Sequence, residues 1–122
     1  MPPMSLSISK AEINNVTVVR LNGRIVFGEE SNSLRHEVKP LVQTPGAAVV
    51  IDLKDVSYVD SGGIGALVGL YTTARAGGGQ MRLAGANSRV THVLQLTKLS
   101  DILGIFPTAE EAAAAIRRSA TA

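Results

Sequence analysis

One segment constrains the fold more than any other: Ala47 to Ala74, AAVVIDLKDVSYVDSGGIGALVGLYTTA, in which the hydrophobic period changes from that of a strand to that of a helix. Val49, Val50, Ile51 and Leu53 form an almost unbroken apolar run interrupted only by Asp52, which suits a central strand covered on both faces. Ile64, Leu67, Val68 and Tyr71 then recur at i, i+3, i+4 and i+7, the stripe of an amphipathic helix. DSGGIG lies between the two. Asp60 and Ser61 are both good helix N-caps, and Gly62, Gly63 and Gly65 remove side chains where the strand turns into the helix or where another backbone must approach. The tip is therefore expected to be a bare surface with one carboxylate and one hydroxyl at the positive end of a helix.

The flanking sequence supplies the partners of this unit. Leu6 and Ile8 alternate with Ser5, Ser7 and Ser9, a second run spans Val16 to Leu21, and Asn14-Asn15 offers the turn of a hairpin between them. Gly23 and Gly28 mark a break, after which Ser31 or a neighbour is expected to cap a helix bearing Leu34, Val38, Leu41 and Val42, stopped by Pro45-Gly46. Gly77-Gly78-Gly79 ends the central helix and leads into a strand in which Met81 and Leu83 alternate with Gln80 and Arg82. Asn87 can cap a third helix with Val90, Val93 and Leu94 on one face, and the run Ile102 to Phe106 reads as a last strand closed by Pro107. Thr108 and Glu111 stand in capping-box spacing ahead of a helix that buries Ala109, Ala112, Ala113 and Ile116. The order β-β-α-β-α-β-α-β-α predicts an α/β fold: a small mixed sheet, an N-terminal hairpin plus parallel strands, packed with about four helices.

At 122 residues the chain reads as one domain over 1–122, with a folded core of approximately 5–118. A domain of that length buries roughly two thirds of its unfolded surface. The 45% hydrophobic content with only 3% aromatic residues predicts an aliphatic core and almost no platform for stacking bases. The formal charge of +2 is spread out apart from the Arg117-Arg118 pair, so no direct nucleic-acid interface is expected. There are no cysteines, which excludes thiol catalysis, disulfides and thiolate metal sites. The start, MPPMSLSISK, lacks the regions of a signal peptide, and no apolar run approaches the ~20 residues of a membrane span, so a soluble cytoplasmic protein is expected.

Candidates for catalysis are weak. The glycine cluster fails the dinucleotide fingerprint, since Val68 stands where Gly or Ala is needed, and it lacks the Gly-Lys-Ser/Thr of a phosphate loop. DSGGIG is not G-x-S-x-G, and His36 and His92 show no link to Ser61 that would make it a nucleophile. Two isolated histidines make a poor metal site, and Asp52, Asp55 and Asp60 read as solvated turn chemistry more readily than as oxygen ligands. No cofactor, metal or enzymatic activity is expected.

The segment from Val50 to Tyr71 resembles the signature of the STAS domain, found in sulfate-transporter tails and in bacterial anti-sigma factor antagonists, where a strand ending in Asp-Leu precedes Asp-Ser-Ser/Thr-Gly-Leu-Gly. LNGRIVFGEESNSLR looks like the family's second strand and first helix, and QMRLAGANSRVTHVLQLTKLSDILGIFPTAEEA like its last two strands and helices. The resemblance implies an antagonist that binds an anti-sigma factor of the histidine-kinase-like ATPase type, frees a sigma factor, and is phosphorylated by that partner on the hydroxyl residue of the turn. Asp60, Ser61, Gly63, Ile64 and Gly65 match the motif, whereas Gly62 falls where the family's phosphoacceptor usually stands. Ser61, Ser57 or the loss of the switch are the remaining choices. The expected binding face is Ser57, Tyr58, Asp60, Ser61, Gly62, Gly63, Ile64 and Gly65, with Gly28 to Ser31 beside it. An interaction subunit of a transport or other signalling complex is the second reading, and a nucleotide-binding protein the third, although Lys54 is the only cation in the segment.

Overall fold

The computed structural model describes residues 6–121, with side chains described through Arg117. Ser5 and the side chain of Arg118 lie outside the described residues. The chain opens on an antiparallel hairpin, β1 (Leu6–Ile13) and β2 (Val16–Ile25), joined by Asn14 and Asn15 at φ 51° and 69°. A two-residue turn with both φ positive matches the natural twist of a hairpin, and asparagine is the side chain that best tolerates it. There follow α1 (Glu29–Gln43), β3 (Ala48–Val59), α2 (Ser61–Ala76), β4 (Gln80–Ala84), α3 (Ser88–Leu96), α4 (Leu99–Leu103), β5 (Ile105–Phe106) and α5 (Ala109–Thr121). The five strands lie in the order β1-β2-β3-β4-β5, and every pairing after the hairpin is parallel.

Alternation along the strands divides the core in two. Val19, Leu21, Ile51, Leu53, Met81 and Leu83 pack with Leu34, Val38 and Val42 of α1, Leu67 and Leu70 of α2, Leu94 of α3 and Leu103 of α4. Val16, Val18, Val50 and Ala84 pack with Ala109, Ala112, Ala113 and Ile116 of α5. The central strand is thus covered on both faces, as its unbroken apolar run requires.

Four local features differ from the reading of the sequence. Ser31 does not cap α1; Gly28 occupies the N-cap at φ 101°, and the buried Ser31 hydroxyl donates to the carbonyl of Val26 at 2.6 Å. The buried face of α2 is Gly63, Ala66, Leu67, Leu70 and Ala74, leaving Ile64, Val68 and Tyr71 half-buried, because small residues allow that face to press closest to the sheet. The run Ile102 to Phe106 is a strand only at Ile105–Phe106; Leu99–Leu103 is a one-turn helix, ended by Gly104 at φ 69°. An apolar run so short cannot be assigned to strand or helix by periodicity. Finally, the strand read from Val49 to Leu53 continues to Val59.

That last feature shapes the end of the molecule that carries Asp60. β3 pairs with β4 only from Ala48 to Asp52, and beyond this it continues beside β2 alone. Two register irregularities, between Arg20 and Asn22 and between Gly23 and Arg24, give β3 extra residues against β2. Buried positions therefore fall at Leu53, Val56 and Val59, three apart, and Ser57 and Tyr58 both face outwards. The bulged stretch is anchored from α3. Asn87 caps that helix by accepting from the Val90 amide at 2.8 Å, and its Nδ2 donates to the Val56 carbonyl at 3.0 Å. Replacing Asn87 with alanine removes both bonds and is expected to cost about 1–2 kcal/mol in chemical denaturation; an unchanged midpoint would show that the anchor contributes nothing.

Candidate partner-binding site

The C-terminal ends of β2 and β3 and the start of α2 meet around one carboxylate. Asp60 caps α2, its Oδ1 accepting from the amide of Gly63 at 2.9 Å. The same carboxylate accepts from the amide of Phe27, at 3.0 Å to Oδ1 and 3.1 Å to Oδ2, and the Asp60 amide donates to the carbonyl of Ile25 at 3.2 Å. Asp60 therefore ties the loop after β2 to the first turn of α2. The amides of Gly63 and then Phe27 hold its carboxyl below the ordinary 3.8, against a smaller opposing effect of burial and with further help from the amides of Gly62 and of Asp60 itself. It is ionised at neutral pH, and its charge sits at the positive end of a helix.

Close approach of the two segments explains two of the three glycines in the turn. A Cβ on Gly62 would lie 2.6 Å from both Cα and Cβ of Phe27, and one on Gly63 would run into the carbonyl of Ile25. These positions are bare because the protein's own chain fills the space. Gly65 is different: a Cβ there would meet nothing within 4 Å. Of the expected bare patch, Gly65 is the part that faces outwards.

The remaining predicted residues are brought to the same end. Ser61 is exposed at the first position of α2 and takes no part in the cap, which Asp60 supplies. Ser57 is exposed and its hydroxyl donates to the Gly23 carbonyl at 3.3 Å; Tyr58 beside it is 40% exposed. Ile64 is half-buried against the core. Gly28 to Ser31 begin α1 next to this surface, through the contact of Phe27 with Gly62. Phe27 itself was missed by the reading of the sequence, yet it is 82% exposed while its backbone is fixed by Asp60. The available signal was an aromatic residue, scarce in this chain, placed directly before a glycine at a break.

Other candidates lie elsewhere. Asp52 pairs with Arg20 at 3.7 Å and accepts from the Lys54 amide at 3.0 Å. With Asp55, Lys54 and Glu110 it lines a separate depression of about 580 Å³, so Asp60 is not brought together with the other two acids. His36 and His92 are exposed on α1 and α3. Among the described residues, no group of three or more His, Cys, Asp or Glu could hold a metal ion, and no helix is long and apolar enough to cross a membrane.

Comparison with known proteins assigns the family and the fold. Residues 7–112 match the model of the STAS domain, and the chain belongs to that family. Within it, the chain is similar to the anti-sigma-B factor antagonist of Bacillus subtilis, 32% identical over 88% of this chain and 96% of that protein. Two solved structures share the fold: an anti-sigma factor antagonist from Mycobacterium paratuberculosis, at TM-score 0.80 and 24% identity over 93% of this chain and 95% of that one, and the antagonist SpoIIAA in its unphosphorylated form, at TM-score 0.74 and 22% identity over 91% and 96%.

The Asp60 geometry predicts an acid dependence. Because its folded pKa lies below the ordinary 3.8, the stabilisation it provides is complete above that value and is lost as pH falls through the lowered one. Denaturation measured across acid pH should show Asp60→Asn losing stability at neutral pH and a shallower decline on acidification. Parallel curves for the variant and the wild type would contradict the assignment.

Proposed function

We propose that this protein is an anti-sigma factor antagonist. It acts by binding rather than turnover, sequestering an anti-sigma factor so that a sigma factor is released. The single observation that carries the reading is the Phe27 side chain, 82% exposed on a loop whose backbone the Asp60 carboxylate holds in place. A large apolar side chain on a fixed backbone has less backbone freedom to lose on binding, which suits an interface anchor. Tyr58, Ser57, Ser61 and Gly65 are exposed at the same end of the molecule and complete the face, with Ile64 half-buried, while Asp60 and Gly62 shape it beneath Phe27. The similarity to the Bacillus subtilis antagonist along almost its whole length supports this reading over a subunit of a transport or other signalling complex.

The partner is an anti-sigma factor of the histidine-kinase-like ATPase type, and Ser61 is its phosphoacceptor. Ser61 is exposed, free of the capping role, and it alone carries a hydroxyl within DSGGIG. A phosphate adds roughly −1.5 to −2 charges, which the start of α2 stabilises, so the helix stays folded. Inhibition arises at the interface, where the new charge stands next to Asp60 and must be desolvated against the partner.

Titration of the purified anti-sigma factors of the source genome against this protein tests the reading. Phe27→Ala should weaken binding by about 2 kcal/mol or more with an unchanged circular-dichroism spectrum; equal affinity would sink the anchor. Incubation with the same partner and ATP should place phosphate on Ser61 and not on Ser61→Ala, and an unmodified wild type that still binds would mean the chain carries no switch.

A further inference from the structure

The glycines of α2 divide into two kinds, and the second kind has no use inside the fold. Gly62 and Gly63 make room for Phe27 and for the end of β2, but a Cβ on Gly65 or Gly69 would meet nothing within 4 Å. Glycine within a helix costs stability relative to alanine, so two open glycines one turn apart are explained by something outside the chain. Gly69 lies in a groove of about 210 Å³ between α1 and α2. Its floor and one wall are Ala66, Gly69, Leu70 and Thr73, one face of α2, and its other wall is Arg35 and Lys39 of α1.

The charge in this groove is of one sign and is not neutralised. Arg35 and Lys39 have no carboxylate partner among the described residues; Arg35 makes only a 3.4 Å bond to the Asn32 side chain. They also border a neighbouring depression of about 440 Å³ with His36, Pro40 and Gln43, again without an acid in its lining. Glu37, the acid between them in sequence, is engaged with Lys10 at 3.2 Å. Gly65 continues the open surface from Gly69 towards Ser61 and the proposed binding face.

We propose that the groove between α1 and α2 is a docking site for an acidic helix of the anti-sigma factor, extending the contact made at Phe27 and Ser61; this rests on the antagonist reading. Arg35 and Lys39 stand at i and i+4, the spacing that meets two carboxylates at i and i+4 on a helix laid alongside. The missing side chains at Gly65 and Gly69 let that helix approach the backbone of α2, since the distance between packed helices is set by the side chains at the crossing. Charge reversal there changes encounter as well as retention.

The test titrates each anti-sigma factor of the source genome with wild type, Phe27→Ala, the pair Arg35→Glu with Lys39→Glu, and Gly69→Leu, at low and high salt. The charge-reversed pair should bind about tenfold more weakly or worse, chiefly through slower association and with a deficit that shrinks as salt rises. Gly69→Leu should lose about tenfold through steric exclusion while its melting temperature holds or rises, because the added side chain has open space and the helix loses a glycine. Wild-type affinity in both groove variants, with Phe27→Ala defective, would overturn the docking site and leave the antagonist reading standing. No binding by wild type to any of the anti-sigma factors would overturn both. Co-sedimentation with phosphatidylserine vesicles that requires Arg35 and Lys39, with anti-sigma binding unaffected, would assign the groove to a membrane surface and overturn it as well.

Discussion

The proposed binding end of this protein depends on the carboxylate of Asp60. It accepts from the Gly63 amide inside α2 and from the Phe27 amide in the loop after β2, so one side chain fixes both the start of a helix and the position of a loop distant in sequence. Hydrogen bonds to an ionised acceptor are roughly twice as strong as neutral ones, and here the helix terminus adds to them. The same arrangement requires glycine at 62 and 63, because Phe27 of the loop and the Ile25 carbonyl at the end of β2 lie where their side chains would be. Cap, loop and glycines are therefore one constraint, and the exposed Phe27 stands on the loop they fix.

The supporting fold brings the groups to one place through the parallel connections. Strand β3 outruns β4, and its bulged end, steadied by Asn87 through the Val56 carbonyl, delivers Ser57, Tyr58 and Asp60 above the helical layer. The bulges cost regular alternation and give two consecutive outward side chains in return. On the other face, α5 closes the sheet with alanines and Ile116, a covering that takes no part in the site.

Much of this was legible in the residues. The hairpin at Asn14-Asn15, the buried stripe of α1, the Asn87 cap and the alanine face of α5 follow from local rules that tertiary structure did not override. What escaped depended on contacts remote in sequence. The strand character of Asp55 to Val59 is hidden by bulges that turn a period of two into one of three, and the one-turn α4 is hidden by its brevity. The sequence reads Gly62 and Gly63 as part of a partner-facing patch, whereas Gly62 makes room for Phe27 and Gly63 for the Ile25 carbonyl. No local pattern reveals that a residue at 27 stands over one at 62.

Hydrogen–deuterium exchange on this protein, alone and with an anti-sigma factor bound, tests the central claim most directly. Binding at the face organised by Asp60 should slow exchange at the amides from Ser57 to Gly65 and around Phe27, and leave α5 unchanged. Protection confined to β1 or α5, with the Asp60 region exchanging as in the free protein, would contradict the account.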